Sequence, residues 1–280
     1  MRKQITRLIL EIYIYIFARP KMQKYNNWIL ILAFKGRGYN NSSVNLSKSG
    51  ELKAILRLTN LQPKVIFDVG ANVGTYSRIF LDKTSADVYA FEPLPESYKS
   101  LVLLNKYYEE KFYAFNYALG DVETTMPLLY NKGTDGLASL SSEINVIPYV
   151  GKNNINSVNV NVRTLDEVFL EFKGLNRFER IDILKIDVEG FEMEVINGAK
   201  SMLKEFPPKA IVLEFNWHQL VKSQSIYNFQ KKFLDYRIYQ VLPFGKGIIE
   251  INPISPESNI YYYSNFIFVR EDCVASFIGK

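Results

Sequence analysis

The chain has 280 residues, 48% hydrophobic and 22% charged, which suits one or two globular domains with a sizeable core. One cysteine (Cys273) and one histidine (His218) exclude an internal disulfide, a structural zinc site and an iron–sulfur cluster. The net charge of +5 is uneven: residues 1–48 carry nine basic side chains against Glu11 alone, residues 49–280 sum to −3, and a uniformly basic nucleic-acid-binding face is excluded.

Two apolar stretches open the chain, Leu8–Ala18 and Trp28–Phe34. Neither reaches the roughly 20 residues that span a bilayer. Arg2, Lys3 and Arg7 ahead of the first stretch imitate a signal peptide, but Glu11 interrupts it and no small-x-small site precedes Arg19-Pro20. No cleavage is expected, and the expected location is cytoplasmic. Residues 1–50 are expected to form a basic, apolar helical arm packed on the following domain or on a partner protein. The alternative is peripheral contact of residues 1–48 with the anionic inner face of a membrane.

Residues 51–280 read as one domain. Leu52, Ile55, Leu56 and Leu58 recur at helical spacing in Glu51–Leu61, which Pro63 ends. Short apolar runs then alternate with helical stretches. Strands are expected at Val65–Phe67, Val88–Phe91, Phe112–Tyr117, Ile181–Ile186 and Ala210–Phe215, with helices at Tyr76–Leu81, Glu96–Tyr107 and Phe191–Leu203. That alternation predicts an α/β fold with a doubly wound, mostly parallel sheet. Residues 121–163, rich in Asn, Ser and Gly, interrupt it and read as antiparallel strands and loops, a lid or substrate-side insertion. Residues 217–280 read as an extension whose strands close the sheet edge.

Asp68-Val69-Gly70-Ala71-Asn72-Val73-Gly74 joins the first strand to its helix, where ligands of doubly wound sheets bind. Asp68 can anchor the loop or meet a cationic group. Glu92 closes the second strand, where an acid can take both hydroxyls of a ribose. A dinucleotide requires G-x-G-x-x-G, so that pyrophosphate meets bare backbone. Here Asn72 stands in place of the middle glycine, which weakens that reading. S-adenosylmethionine has no pyrophosphate, and the looser loop is sufficient for it. The adenine is expected near Asn116, Ala118 and Leu119.

Asp182-Ile-Leu-Lys185-Ile-Asp187-Val-Glu189-Gly190 ends a buried strand in charge. By alternation Lys185, Asp187 and Glu189 share one side while the strand persists. Charges are rarely buried unpaired, so the run predicts a polar cluster at the ligand crevice.

With Phe91-Glu92-Pro93, Asn116–Gly120, Arg163–Asp166, Lys185–Glu192, Asn197-Gly198-Ala199 and Leu213-Glu214 in order, the chain resembles the FkbM family of S-adenosylmethionine-dependent methyltransferases over about residues 64–216. The resemblance implies a Rossmann-like class I methyltransferase domain with S-adenosyl-L-methionine as cofactor. It points to O-methylation of a hydroxyl on a sugar, polysaccharide precursor or related metabolite. Residues 1–50 and 217–263 lie outside it. A sugar hydroxyl needs a general base. Asp187 is the first candidate, then Glu189, with His218 after the fifth strand as the other; Glu214 can orient His218 or bind the acceptor. Asp187, Glu189 and Glu214 can also hold a divalent cation, but no motif demands one and no metal is expected. The competing readings are a non-catalytic binding or scaffold protein on the same fold, a nucleic-acid methyltransferase, disfavoured by the body's negative charge, and an NAD(P)-dependent oxidoreductase, disfavoured by the glycine spacing.

Overall fold

The computed structural model describes residues 2–43, 45–131, 135–151 and 155–279. Residues 132–134 and 152–154 of the 121–163 insertion lie outside the described residues, as do the side chains of Arg2 and Lys3 in the arm.

Eleven strands are described: β1 (Val65–Val69), β2 (Asp87–Phe91), β3 (Phe112–Phe115), β4 (Ala118–Gly120), β5 (Thr124–Tyr130), β6 (Asn156–Thr164), β7 (Ile183–Ile186), β8 (Ala210–Phe215), β9 (Tyr236–Leu242), β10 (Gly247–Glu250) and β11 (Ser264–Arg270). Eight form one sheet in the order β10-β9-β11-β8-β7-β1-β2-β3. The run from β3 to β8 is parallel, and β11 is antiparallel to both neighbours. The chain leaves β1 towards β2 and β3, then returns to β7 on the other side. The β1/β7 boundary is therefore the topological switch point, where a crevice opens at the carboxyl ends of the strands.

Successive residues of β1 enter different cores. Phe67 packs with Phe91, Leu184 and Phe268 on one face, while Ile66 packs with Val88, Ile183 and Ile267 on the other. Burial on both faces is what apolar runs such as Val65–Phe67 and Ala210–Leu213 require. The doubly wound α/β sheet expected from the sequence is present.

Three features add to or correct those expectations. The 217–280 extension adds three strands beyond β8. Only β10 is terminal, and β11 lies between β8 and β9, because Phe266, Ile267, Phe268 and Val269 are all fully buried and need cover on both faces. The helix expected over 191–203 is two, Glu192–Asn197 and Lys200–Glu205. Gly198 breaks it by meeting β4: a Cβ there would lie 1.8 Å from the Gly120 carbonyl oxygen. Asp166 restarts the second helix, its carboxylate accepting from the Ser201 and Met202 amides at 2.9 and 2.8 Å. Finally, the arm meets the domain at its root, where Phe34 packs on Tyr39 and Tyr262. Its helices, Arg2–Phe17 and Gln23–Gly36, bury no described residue, whereas residues 38–50 belong with the body. Tyr39 is fully buried and its hydroxyl donates to the Glu257 carbonyl at 2.6 Å.

The insertion forms its own sheet, β4-β6-β5, with β6 antiparallel to β5. Its β4 meets the turn between the two helices after β7, with Gly120 against Gly198. Gly198→Ala is expected to cost ~1–3 kcal/mol through that close approach. Urea unfolding should show a lower midpoint at an unchanged slope; an unchanged midpoint would show that the two segments separate freely.

Candidate active site

The loop after β1 turns sharply because Gly70 (φ 75°) takes a left-handed conformation against the β7 turn. A Cβ at Gly70 would lie 1.8 Å from the Asp187 carbonyl oxygen, so only glycine lets the two strand ends meet. Asn72 is also left-handed (φ 49°), as asparagine tolerates better than most residues. Its amide donates to Glu92 Oε2 at 2.8 Å, and the Leu94 amide donates to Glu92 Oε1 at 2.7 Å. Glu92 thus fixes the loop to the end of β2. Burial raises its pKa to about 7, against the pull of those two amides. The side-chain oxygen of Asn72 is buried with no partner among the described residues.

Lys185 ties the switch point together. Its ammonium lies 3.0 Å from Asp68 Oδ1 and 3.4 Å from Asp187 Oδ2, and donates to the Gly70 carbonyl at 3.4 Å. Burial opposes its charge, yet Asp68 and Asp187 outweigh that and push its pKa up. Ser77 donates to the other Asp68 oxygen at 2.7 Å.

Alternation does not persist through the acidic run, because β7 ends at Ile186. A turn gathers the acids instead, with Glu189 (φ 52°) and Gly190 (φ 94°) both left-handed. Glu192 braces that turn, accepting from the Val188 and Gly190 amides at 3.3 and 3.0 Å. Gln219 donates to its other oxygen at 2.7 Å. Ser139, from the insertion, donates to the Glu189 carbonyl at 2.6 Å.

The carboxylates of Asp187, Glu189 and Glu214 then lie within 4.8 Å of one another. Burial raises the pKa of Glu189, against the pull of His218, and raises Glu214 further, with Asp187 and Glu189 adding repulsion. The donor atoms of the trio also suit a hard divalent cation with water. His218 Nδ1 is 3.1 Å from Glu189 Oε2, but neither ring nitrogen completes an aligned hydrogen bond among the described residues. Glu214 does not orient His218; it accepts from Asn216 Nδ2 at 2.5 Å.

A cavity of about 650 Å³, open mouth included, lies over the switch point. Gly70, Asn72, Glu92, Ala118, Leu119, Asp187 and Glu189 are among the residues that line it. Four expected site residues stand outside it. Asp68 is fully buried behind the loop, spent on Lys185 and Ser77. Gly74 packs on Leu101 and Leu104. Asn116 donates to the carbonyls of Glu92 and Pro93. His218 is buried behind Glu189. The sequence reading missed Phe91, Leu128, Ala138, Leu140 and Phe191, which line the cavity. Three of these come from the insertion, and nothing in their local pattern sets them apart from core.

A doubly wound sheet with a glycine turn, a strand-end acid and a ligand-sized cavity at its switch point defines a Rossmann-like cofactor-binding domain. The methyltransferase FkbM domain model matches residues 68–240, and the chain belongs to the FkbM methyltransferase family. It is 32% identical over 161 residues to "Methyltransferase sdnD" of Sordaria araneosa, covering 48% of this chain and 59% of that protein. It is 30% identical over 145 residues to "Hexuronic acid methyltransferase AglP" of Haloferax volcanii, covering 50% of this chain and 52% of that one. The chain spans about half the length of these curated relatives. Among solved structures it is similar to an O-methyltransferase from Bacillus cereus in complex with SAH, at 10% identity, 94% and 97% coverage and a TM-score of 0.44.

Lys185→Met would leave Asp68 buried without its counter-charge. The expected loss is about 3–5 kcal/mol, read from urea midpoints, with Asp68→Asn/Lys185→Met losing less than the two single changes together. Strict additivity would show that the pair does not couple.

Proposed function

We propose that this chain is an S-adenosylmethionine-dependent O-methyltransferase, acting in the cytoplasm on a hydroxyl of a sugar, polysaccharide precursor or related metabolite. The observation that carries the reading is a cavity lined both by residues suited to the cofactor and by acids. Family membership supports the transfer. The relative named for hexuronic acid methylation supports a sugar acceptor.

The residues present fit the cofactor. The unpartnered Asn72 oxygen is an acceptor for a polar hydrogen, and Glu92 keeps lone pairs for ribose hydroxyls. Ala118 and Leu119 offer an apolar wall for adenine. When bound, S-adenosylmethionine supplies a methyl whose bond to sulfur breaks, both electrons staying on sulfur, as the acceptor oxygen bonds to carbon. Asp187 faces the cavity and takes the acceptor proton, directly or through Glu189. Lys185 holds the Asp187 carboxylate in place at 3.4 Å. Glu189 can pass a proton to His218, so His218 acts through it rather than on the acceptor. Aligning the reactants supplies ~7–11 kcal/mol of barrier reduction, and the base adds ~10²–10⁴-fold.

Asp187→Asn is expected to lower turnover on a glycan acceptor by ~10²–10⁴-fold while S-adenosylhomocysteine affinity, by isothermal titration, stays within about threefold. Full turnover would remove Asp187 as base, and no binding to the folded wild type would sink the cofactor assignment.

Glu92 sets a pH dependence. Ribose hydroxyls donate best to its ionised form, whereas burial holds the proton up to about 7. S-adenosylhomocysteine binding should therefore weaken as pH falls through about 7, approaching tenfold per unit below it, and level off above. Glu92→Gln should flatten that profile; a wild-type profile flat from pH 6 to 8 would count against Glu92 as the ribose ligand.

A further inference from the structure

The arm carries the strongest unexplained feature of the molecule. Between Ile5 and Leu32, fifteen large apolar side chains are exposed, about half of all such residues among those described. They include Ile9 (60% exposed), Tyr15 (78%) and Trp28 (64%). From Leu8 and from Trp28 onward, both helices are apolar around most of their circumference, a pattern that water does not stabilise. The area is on the order of 1,000 Å², well above the few hundred Å² that soluble monomers expose in one patch.

The arm holds together locally. Tyr13 donates to Asn26 Oδ1 at 2.6 Å and Asn26 donates to the Phe17 carbonyl at 2.9 Å, which fixes the turn. Its root is tied to the body: the Phe34 ring packs on Tyr39 and Tyr262, and the Asn40 amide donates to the Tyr263 carbonyl at 2.7 Å. Tyr263 in turn donates to Glu51 and accepts from Asn265, the register partner of Glu214. The arm therefore leaves the body at the carboxyl edge of the sheet, beside the acidic cluster.

Charge decides what covers it. Glu11 is the one acid of residues 1–48 and pairs with Arg7 at 2.9 Å. Among the described residues, Arg19, Lys21, Lys24 and Lys35 have no carboxylate within ion-pair distance. The cations gather around the turn and at the helix ends, and the apolar residues lie between them. A second copy would bring like charge against like charge, whereas an anionic lipid surface offers apolar depth and opposite charge together. The apolar stretches extend only ~16 Å as helix, against a hydrocarbon core of about 30 Å. No described helix is long and apolar enough to cross a membrane. Trp28, Tyr13, Tyr15 and Tyr25 suit the headgroup boundary, where an amphipathic ring keeps its polar tip wet.

We propose that residues 2–36 insert into one leaflet of an anionic bilayer and hold the carboxyl edge of the sheet, with its cavity, next to the lipid surface. This does not rest on the proposed chemistry, since vesicle binding needs neither cofactor nor acceptor.

The test is flotation of the full chain with phosphatidylcholine vesicles, with and without 30% phosphatidylglycerol. Trp28 emission is followed in a Trp217→Phe background. The expected result is binding to the anionic vesicles with a blue shift, weakened at least ~tenfold by 0.5 M salt. Ile9→Asp/Ile29→Asp should abolish it, and Lys21→Glu/Lys24→Glu should reduce it ~tenfold on anionic vesicles only. Unchanged urea midpoints would show that both variants still fold. Absence of binding by the wild type, or equal binding to both vesicle types regardless of salt, would overturn the proposal. So would self-association in sedimentation velocity that Ile9→Asp/Ile29→Asp abolishes without any vesicle binding; that result would assign the apolar faces to a second copy.

Discussion

Lys185 reaches from β7 to β1 at the point where the chain has crossed the sheet twice, and its ammonium meets Asp68, Asp187 and the Gly70 carbonyl. A buried ammonium on its own would be costly, and so would a buried Asp68. Together they fix the spacing of the two strand ends that form the crevice. The glycine turn can close only because Gly70 has no Cβ, and closing it places the Asp187 carbonyl where a side chain would have been. The glycine turn and the position of Asp187 are thus both tied to one ion pair. Asp68 serves this role: Ser77 donates to its Oδ2, and its Oδ1 lies 3.0 Å from the Lys185 ammonium without an aligned hydrogen bond.

The second constraint is the turn after β7. A non-glycine residue at positive φ is sparsely populated, and Glu189 occupies that region at the acidic cluster. The surroundings over-determine it. Glu192 receives two amides of the turn, Ser139 binds the Glu189 carbonyl, and a Cβ at Gly190 would crowd Ile144 and His218. Two of these contacts, Ser139 and Ile144, come from the insertion. The segment that covers the cavity also holds the geometry of its acids.

The main sheet was legible because its apolar runs are short, evenly spaced and flanked by turn chemistry. The glycine turn was legible because close approach of two backbone segments demands glycine, and a strand-end acid is a local feature. Alternation wrongly placed Glu189 on the Lys185 side of a continuing strand, because periodicity carries no sign of where a strand stops. Leu128, Ala138 and Leu140 could not be told from core residues, since lining a cavity and filling a core ask for the same side chains. Asn116 and Gly74 stand outside the cavity: Asn116 holds the carbonyls of Glu92 and Pro93, and Gly74 makes room for Leu101 and Leu104. For the arm, composition showed both an apolar and a basic character but not whether the domain had a face to receive it.

Among the described residues the domain receives the root of the arm through Phe34, while the fifteen exposed apolar side chains between Ile5 and Leu32 lie beyond it, and the reason lies in how the sheet is finished. The β9–β11 extension and residues 38–50 already cover the ground next to the root of the arm: Tyr39 is buried there, Ser264 donates to the Gly38 carbonyl, and Gly50 lies against Leu242. The linker from residue 38 therefore completes the fold without the helices before it. The apolar side chains exposed between Ile5 and Leu32 are left without cover by the domain among the described residues. The same linker binds Tyr263, whose hydroxyl reaches Glu51 beside the buried polar network of the crevice.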